Sequence, residues 1–255
     1  MTIESVQNEK IKKLSRLLAK NSERKKAGIL IVEGRQENER AIRFGYEPVE
    51  FFISEALYNE ALPAGRVHLV SEQVYEKIAY RGTTEGIIGI YKIPTADIDD
   101  YTPAADAFVI VLESVEKPGN LGAILRSCEA FGVDAVIVTD PKIDLYNPNV
   151  IRSSVGCIFG MRTYALTNQQ TLDFLQRNDF QILTTFMEET ARAIDETKLS
   201  GRAAICFGTE HSGLSEFWNG KGQNVLVPMA GSIDSLNLSN AVAICAYEQL
   251  RQKRT

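Results

Sequence analysis

The sequence predicts an α/β protein with two regions, the second of which is built on a parallel sheet. From residue 107 on, continuous apolar runs such as FVIVL (108–112) and AAICFG (203–208) alternate with helical patterns. Strands in parallel sheets have such runs, because helices cover both faces of the sheet. The first region has strand and helix patterns over residues 1–93. Between the two, PTADIDDYTPAAD (94–106) is polar and acidic with two prolines and is the best candidate for a linker.

The first region is expected to begin with a basic helix and then to alternate. Hydrophobic periodicity and turn residues set the boundaries of each predicted element. In chain order we expect a strand at 29–34, a helix at 35–46, a strand at 48–54, a short helix at 55–62, a strand at 66–70, a helix at 71–80 and a strand at 86–93.

The second region adds two more predicted buried strands, AVIVT (135–139) and QILTTF (181–186). A helix begins near Asn120, and its apolar residues fall on one stripe. A last helix contains AVAICAY (241–247), which is apolar nearly all round. Such a helix is buried on several sides, in the core or in a dimer interface. We find no internal repeat and no low-complexity tract.

Composition narrows the class of protein. Of the 255 residues, 44% are apolar and 24% charged, as in ordinary soluble globular proteins. No run of about 18 apolar residues occurs, and the N-terminus lacks the apolar core of a signal peptide, so we expect no membrane span. Four widely spaced cysteines and two histidines offer no metal-ligand spacing, so we expect no metal site. The cysteines are expected to be buried, reduced thiols in a cytoplasmic protein.

Charge is unevenly distributed along the chain. The net charge is −5, but residues 1–45 carry eleven Lys/Arg against six Asp/Glu. In KIKKLSRLLAKNSERKK (10–26), Ile11, Leu14 and Leu18 fall at helical spacing, which leaves the basic side chains in solvent. Two interpretations remain open from this segment alone: a solvated helix face, or a surface that binds nucleic-acid phosphates.

Three segments of the second region place glycine and polar residues after a strand: ESVEKPGNLGAILRSCEAFG (113–132), ICFGTEHSGLSE (205–216) and VLVPMAGSIDSLNLSNAVAICAYEQL (225–250). Loops beyond the carboxyl ends of parallel strands are where ligands bind. Taken singly, each segment also has a purely structural explanation, in which Asn120 caps a helix and the glycines only form turns. No GxGxxG or GxxxxGK[ST] motif is present.

Together these residues resemble the SpoU (TrmH-like) family of SPOUT-class RNA ribose methyltransferases. The first family motif matches NLGAILR (120–126), the second GTEHSGL (208–214) and the third PMAGSIDSLNLS (228–239). An accessory pattern matches RSSVG (152–156). The resemblance covers the whole second region, and the first region is similar to the family's substrate-binding domain more loosely.

The resemblance implies a fold and a cofactor. We expect a C-terminal knotted (trefoil-knot) parallel-sheet catalytic domain over 107–255, a smaller N-terminal α/β RNA-binding domain over 1–93, and a homodimer. The expected cofactor is S-adenosylmethionine. The residues expected to bind it are Gly208, Val227, Met229 and Leu236. One glycine and three apolar residues also suit an adenine slot on physical grounds.

The resemblance also assigns candidate catalytic residues, namely Asn120, Arg126, Glu210, Ser235 and Asn237. Methyl transfer to a ribose 2′-hydroxyl requires that the hydroxyl be oriented and deprotonated. Because a guanidinium stays protonated, Arg126 is expected to clamp a phosphate and stabilise alkoxide charge rather than act as the base. Glu210 is the candidate proton acceptor or holds Arg126 in place. The two asparagines would position the ribose and the loops, and Ser235 would bind phosphate.

The expected substrate is structured RNA, with ribosomal RNA first and tRNA second. The side chains expected to contact it are Lys12, Lys13, Arg16, Arg24, Lys25, Lys26, Arg35 and Arg152. A tRNA ribose methyltransferase, a non-catalytic RNA-binding protein with the same fold and a base methyltransferase of the same class are the alternatives. A resistance enzyme that protects the ribosome would carry the same motifs.

Overall fold

The computed structural model describes residues 2–79, 85–188, 190–233 and 235–254. The chain forms two compact units, of which the first comprises residues 1–95 and 146–160 and the second residues 96–145 and 161–255. The sequence pattern does not reveal that 146–160 joins the first unit, because this stretch contains one helix of six residues, too short to show a period.

Strands and helices alternate along most of the described chain. The strands are β1 (Ile29–Glu33), β2 (Pro48–Ile53), β3 (Val67–Leu69), β4 (Ile87–Lys92), β5 (Phe108–Glu113), β6 (Ala135–Thr139), β7 (Thr163–Leu166), β8 (Gln181–Thr184), β9 (Arg192–Ala193), β10 (Ala203–Phe207) and β11 (Gln223–Leu226). The helices are α1 (Glu9–Ala19), α2 (Asn21–Ala27), α3 (Arg35–Arg43), α4 (Glu72–Ile78), α5 (Pro118–Phe131), α6 (Pro148–Ser153), α7 (Asn168–Arg177) and α8 (Leu238–Lys253).

The first unit contains a four-stranded sheet in the order β1-β4-β2-β3. Strand β4 pairs antiparallel with β1 and β2, and β3 pairs parallel with β2. Helix α1 contributes Ile11, Leu14 and Leu17 to the core of this unit, while Leu18 is half-buried. Its first turn is capped by Asn8, whose Oδ1 accepts from the backbone N of Lys10 at 3.0 Å. The predicted basic, amphipathic helix is thus confirmed over residues 9–19, with Leu17 buried more fully than Leu18. The predicted segment 10–26 is not one helix, because Lys20 has extended backbone and separates α1 from α2.

The short helix predicted at 55–62 is wrong. After β2 the chain makes a single turn, closed by a hydrogen bond of 2.9 Å from the backbone N of Tyr58 to the carbonyl of Ser54, and then runs irregularly to β3. Pro63 disfavours helical geometry at Leu62, which removes the last position of the predicted helix. The helix predicted at 71–80 is found as α4, and its last predicted residue, Tyr80, lies outside the described residues.

The second unit contains a seven-stranded sheet in the order β7-β6-β5-β10-β8-β11-β9, and every neighbouring pair of strands in it is parallel. All residues of β5, β6 and β10 are buried, as their continuous apolar runs predict. Strand β5 pairs with β6 on one side and with β10 on the other. The carboxyl ends of β5 and β10 therefore meet where the strand order reverses, which is where α/β sheets bind ligands.

Most of the segment predicted as a linker is folded onto the second unit. Ile98 is buried in the core, and the ring of Tyr101 stacks against Phe174 at 6.0 Å between centroids. The guanidinium of Arg202 donates to the carbonyls of Pro103 and Ala104, each at 3.0 Å. Arginine places three nitrogens in a fixed plane, so one side chain fixes this stretch at two points.

None of the four cysteines forms a disulfide and all four are buried, as predicted. Burial raises the pKa of the Cys128 and Cys245 thiols to about 12, so both remain protonated at neutral pH. Across the described residues, no helix combines the length and apolarity needed to cross a bilayer. Nor does any group of three or more His, Cys, Asp or Glu side chains in that part of the chain have the geometry to hold a metal ion.

Candidate active site

Helix α5 begins right after the loop that follows β5. Its N-cap is Lys117, which makes no capping hydrogen bond through its side chain, and Pro118 occupies the first helical position, where its fixed φ suits the helix. The prediction that Asn120 caps this helix is therefore wrong. Asn120 lies in the first turn, and its side-chain amide is free to contact another loop.

That contact is with Glu210, in the turn after β10. Oε1 of Glu210 accepts a hydrogen bond from Nδ2 of Asn120, and Oε2 forms an ion pair with Nζ of Lys117. The Glu210 side chain is 25% exposed, whereas that of Lys117 is 68% exposed. The carboxylate thus holds the start of α5 against the turn after β10.

Asn237 brings the third motif to the same place. It is the N-cap of α8, and its Oδ1 accepts from the backbone N of Ser239 at 2.9 Å. Its Nδ2 lies 3.4 Å from Oε1 of Glu210 and 3.5 Å from Oδ1 of Asn120. One residue from each of the three sequence motifs is therefore found at a single carboxylate, that of Glu210.

A cleft of about 150 Å³ opens beside this carboxylate. Six of its lining residues are charged or polar and two are apolar. The lining residues are Val115, Glu116, Lys117, Asn120, Thr209, Glu210, His211 and Leu238. Glu116 pairs with Lys142 at 2.7 Å, and this hydrogen bond and charge lower the pKa of the Glu116 carboxyl.

Gly208 has a structural role at the start of the second motif. A Cβ on Gly208 would lie 1.9 Å from the backbone C of Gly213 and 2.0 Å from the backbone N of Leu214. The turn is closed by reciprocal backbone hydrogen bonds of 3.0 Å between Thr209 and Gly213. Glycine is thus required at 208 by the approach of the loop's own backbone, a reason that the sequence interpretation, based on ligand approach, did not include.

The other predicted cofactor residues lie in the loop between β11 and α8. Val227 and Leu236 are half-buried, and Met229 is 42% exposed. Ser235 is exposed in the same loop. This loop follows a carboxyl strand end, as the turns of Asn120 and Glu210 do, so it lies at the same edge of the sheet. Partly exposed apolar side chains of this loop therefore lie at the same edge of the sheet as Asn120 and Glu210.

Arg126 is exposed on α5 and is not paired with Glu210. Six residues separate it from Asn120, which places it about 120° round the helix and about 9 Å along its axis. Among the described residues it makes no hydrogen bond or ion pair. The suggestion that Glu210 holds Arg126 is therefore wrong in this structure: Lys117 is the cation that Glu210 binds.

Lys117 is the site residue that sequence reasoning missed. It precedes the first motif and belongs to none of the matched patterns, and a lysine next to a proline carries no signal by itself. Its pairing with Glu210, 93 residues later in the chain, exists only because β5 and β10 are neighbours.

The predicted RNA-binding side chains lie in the first unit, and most of them are accessible. Those exposed to solvent are Lys12, Lys13, Arg16, Lys25, Lys26 and Arg35. Arg35 is paired with Glu60 at 3.0 Å. Arg152 is half-buried in α6; burial raises the pKa of Glu37, and the charge of Arg152 partly offsets this effect.

Arg24 must be removed from this set. Its side chain is buried, with 3% of the residue exposed, and Nη1 donates to the carbonyls of Leu17 at 2.8 Å and Leu18 at 3.2 Å. It satisfies carbonyls at the end of α1, which have no partner within the helix. A side chain in that position is not available to a phosphate.

Comparison with known proteins agrees with this fold. The model of the SpoU rRNA Methylase family matches residues 107–247, and that of the MRM3-like substrate binding domain matches residues 8–89. The 23S rRNA (guanosine-2′-O-)-methyltransferase RlmB of Escherichia coli (strain K12) is 30% identical over 194 residues, covering 73% of this chain and 79% of RlmB.

Two solved structures superpose on nearly the whole chain. The crystal structure of an RNA 2′-O ribose methyltransferase has a TM-score of 0.88 and 35% identity, covering 100% of both chains. The AdoMet-bound rRNA methyltransferase of Sinorhizobium meliloti has a TM-score of 0.89 and 22% identity, covering 98% of this chain and 97% of that one, and its likeness concerns the fold.

The fold and the site define a SPOUT-class methyltransferase, and the predicted fold class is confirmed. The chain belongs to the SpoU rRNA methylase family.

Proposed function

We propose that this protein transfers a methyl group from S-adenosylmethionine to a ribose 2′-hydroxyl of ribosomal RNA. The observation that carries the proposal is the convergence of Asn120, Glu210 and Asn237 beside a cleft at the carboxyl ends of the strands. The relative RlmB is named as a 23S rRNA (guanosine-2′-O-)-methyltransferase, which favours ribosomal RNA over tRNA.

The residues around the cleft fit the cofactor. Val227, Met229 and Leu236 offer half-covered apolar surface for an adenine ring, and polar groups lie at the next strand end. Gly208 keeps the neighbouring turn tight, because backbone atoms of Gly213 and Leu214 occupy the place of a Cβ. When bound, the cofactor supplies an electrophilic methyl group on a sulfonium.

The residues of the chain then act on the ribose. The amides of Asn120 and Asn237, held by Glu210, are fixed hydrogen-bonding groups that orient the 2′-hydroxyl. The carboxylate of Glu210 lies beside these amides and accepts the proton of the 2′-hydroxyl. Arg126 and Ser235, both exposed, bind phosphate oxygens next to the reacting ribose, and Arg126 also stabilises the developing alkoxide charge.

The experiment that tests the activity uses methyl-labelled S-adenosylmethionine with ribosomal and transfer RNA from cells that lack this enzyme. RNA is digested to nucleosides, and label is expected in a 2′-O-methylnucleoside of the ribosomal pool. Label found only in tRNA would show that tRNA, and not ribosomal RNA, is the substrate. Label found in a base would show that the enzyme methylates a base and not a ribose. Absence of label together with absence of cofactor binding would support a non-catalytic RNA-binding protein.

We also propose that the protein is a homodimer and works in the cytoplasm. On α8, Ile244 is 40% and Tyr247 is 54% exposed, and the Tyr247 ring packs edge-on against Phe131 of α5 with 5.7 Å between centroids. An uncovered apolar face shared by two helices suits an interface between two copies. Four buried cysteines without a disulfide suit a reducing compartment.

Tyr247→Glu is expected to convert the dimer into a monomer, because it places a charge in the apolar contact. Sedimentation equilibrium should then give the chain mass of 28.3 kDa in place of twice that value. Leu62→Glu, at an apolar position 50% exposed in the first unit, is the matched control and should leave the dimer intact. A monomeric wild-type protein would refute this assignment.

The exposed basic face of α1 is proposed to bind RNA backbone. Replacing Lys12, Lys13 and Arg16 by alanine should weaken RNA binding and reduce the slope of log affinity against log salt by about 0.7–0.9 for each phosphate that is no longer neutralised. Turnover at saturating RNA should not change. The exposed pair Arg177 and Lys198 in the second unit, replaced by alanine, is the control. An unchanged salt slope in the triple variant would favour the solvated-face interpretation.

A further inference from the structure

One buried carboxylate of the second unit has no role in the mechanism above. Glu113 is the last residue of β5, and it is only 5% exposed. Ser114, the next residue, has a φ of 51°, so the chain turns sharply before it reaches Lys117 and Asn120. Glu113 thus lies at the base of the loop that carries the first part of the site.

Both oxygens of Glu113 are occupied by donors from other segments. Oε2 accepts from the backbone N of Ser215 at 2.7 Å, and Oε1 accepts from Oγ of Ser215 at 2.6 Å. Oε1 also accepts from Nδ2 of Asn168, the first residue of α7, at 2.6 Å. Oδ1 of Asn168 in turn accepts from Nε1 of the buried Trp218 at 3.2 Å.

These partners matter because of where they lie. The loop that carries Glu210 begins at Gly208 and ends at Ser215. Strand β10 fixes its first end, and the hydrogen bonds from Ser215 to Glu113 fix its last end. The same carboxylate ends the strand that leads into Lys117 and Asn120. Burying a carboxylate is costly unless its oxygens are hydrogen-bonded. Here the two bonds from Ser215 join the segment of Lys117 and Asn120 to the loop of Glu210, and the third bond goes to α7.

Building on the proposed function, we infer that Glu113 is a positioning residue of this methyltransferase. Its carboxylate holds Ser215, and through it the loop of Glu210, at the distance at which Glu210 reaches Lys117 and Asn120. Glu113 does not touch substrate or cofactor and acts only through that loop.

Glu113→Gln tests this with the smallest change in shape. The side-chain nitrogen of the new glutamine is a donor, and it would face either the backbone N–H of Ser215 or the side-chain NH2 of Asn168. In both arrangements two hydrogen-bond donors face each other. We expect kcat to fall by about 10- to 100-fold, because small misplacement of reacting groups has effects of this size, with the Kd for S-adenosylmethionine within about twofold of wild type. Thr171→Val, which removes a buried hydroxyl on α7 bonded to the carbonyl of Thr167, is the matched control and should keep wild-type kcat.

The double variant Glu113→Gln/Asn168→Asp exchanges donor and acceptor. The new amide donates to Asp at 168, its oxygen accepts from Ser215, and the other oxygen at 168 still accepts from Trp218. An acidic side chain in the first turn of α7 also suits the helix dipole. Because the hydrogen-bond pattern is restored, we expect kcat to recover to within about threefold of wild type.

Asn168→Asp alone provides a pH readout. It places two carboxyls in a contact that is 2.6 Å long in the wild type, so they are stable only when they share a proton. The carboxyl pKa of the pair is raised, and the contact weakens as pH rises. We expect kcat relative to wild type to fall as pH rises in this single variant, and to be independent of pH in the double variant.

Hydrogen–deuterium exchange separates this inference from the proposed function. The amides of residues 208–216 should exchange faster in Glu113→Gln than in wild type, and their exchange rate should return to the wild-type value in the double variant. This expectation holds whether or not methyl transfer is found. Wild-type kcat and exchange in Glu113→Gln would overturn the inference, as would a double variant that is folded but remains slow. If Glu113→Gln does not fold, the double variant and Ser215→Ala, which loses only the hydroxyl hydrogen bond, provide the same comparison.

Discussion

Replacing Arg126 by alanine is expected to reduce kcat for RNA methylation by about 10²- to 10³-fold, the usual effect of removing one group that stabilises developing charge. The affinity for S-adenosylmethionine should be unchanged, since no hydrogen bond or ion pair among the described residues joins Arg126 to the loop between β11 and α8. The helix should fold normally, because the side chain is exposed and unpaired within the described residues. Single-turnover assays with saturating RNA and cofactor measure this loss directly.

Arg126→Lys distinguishes the proposed role from simple charge. Lysine keeps the charge but cannot bind a phosphate through two parallel N–H groups, so we expect only partial recovery. Arg177→Ala replaces an exposed arginine elsewhere in the second unit and should have wild-type kcat. Near-normal turnover of Arg126→Ala would remove this residue from the mechanism and leave Lys117 as the cation nearest the reacting groups.

Gly208→Ala is the second change with a large expected effect. Its Cβ would lie within 2.0 Å of backbone atoms of Gly213 and Leu214, which cannot move without opening the turn. We expect a loss of at least about 1–3 kcal/mol in the free energy of unfolding, as for overpacking elsewhere. Because Glu210 lies inside the same turn, methyl transfer should be lost as well. Thermal unfolding and the labelled-methyl assay measure the two effects.

Gly119→Ala is the matched control for this substitution. Gly119 lies in the first turn of α5, and no heavy atom is within 4 Å of a Cβ built there. Alanine is favoured over glycine in a helix by about 0.5–1 kcal/mol, so this variant should be slightly more stable than wild type. If Gly208→Ala is as stable as wild type, the loop is more adaptable than its backbone contacts indicate, and the role of Gly208 would have to lie with the ligand.

Lys117 and Glu113 show what sequence patterns leave out. The three motifs identify Asn120, Glu210 and Asn237, because each motif has a fixed internal spacing. No spacing connects Glu113 to Ser215, 102 residues later, or Lys117 to Glu210, 93 residues later. These contacts arise because β10 lies beside β5 in the sheet, although β6, β7, β8 and β9 come between them in the chain. The misassigned roles have the same origin: Asn120 at the start of a helix resembles a cap until its contact with Glu210 is seen.

The sequence by itself determined the α/β class, the buried parallel strands, the basic amphipathic helix and the three polar turns, because these depend on periodicity and on residues close together in the chain. Only the tertiary structure decided that residues 146–160 fold with the first unit, that Arg24 is buried, that the chain at 55–62 is not helical and that Glu210 binds Lys117 rather than Arg126. The physical reason is that the order of strands in the sheet sets which distant segments of the chain meet. The burial of a side chain and its hydrogen-bond partners depend on those distant segments, so they do not follow from the residues next to it in the sequence.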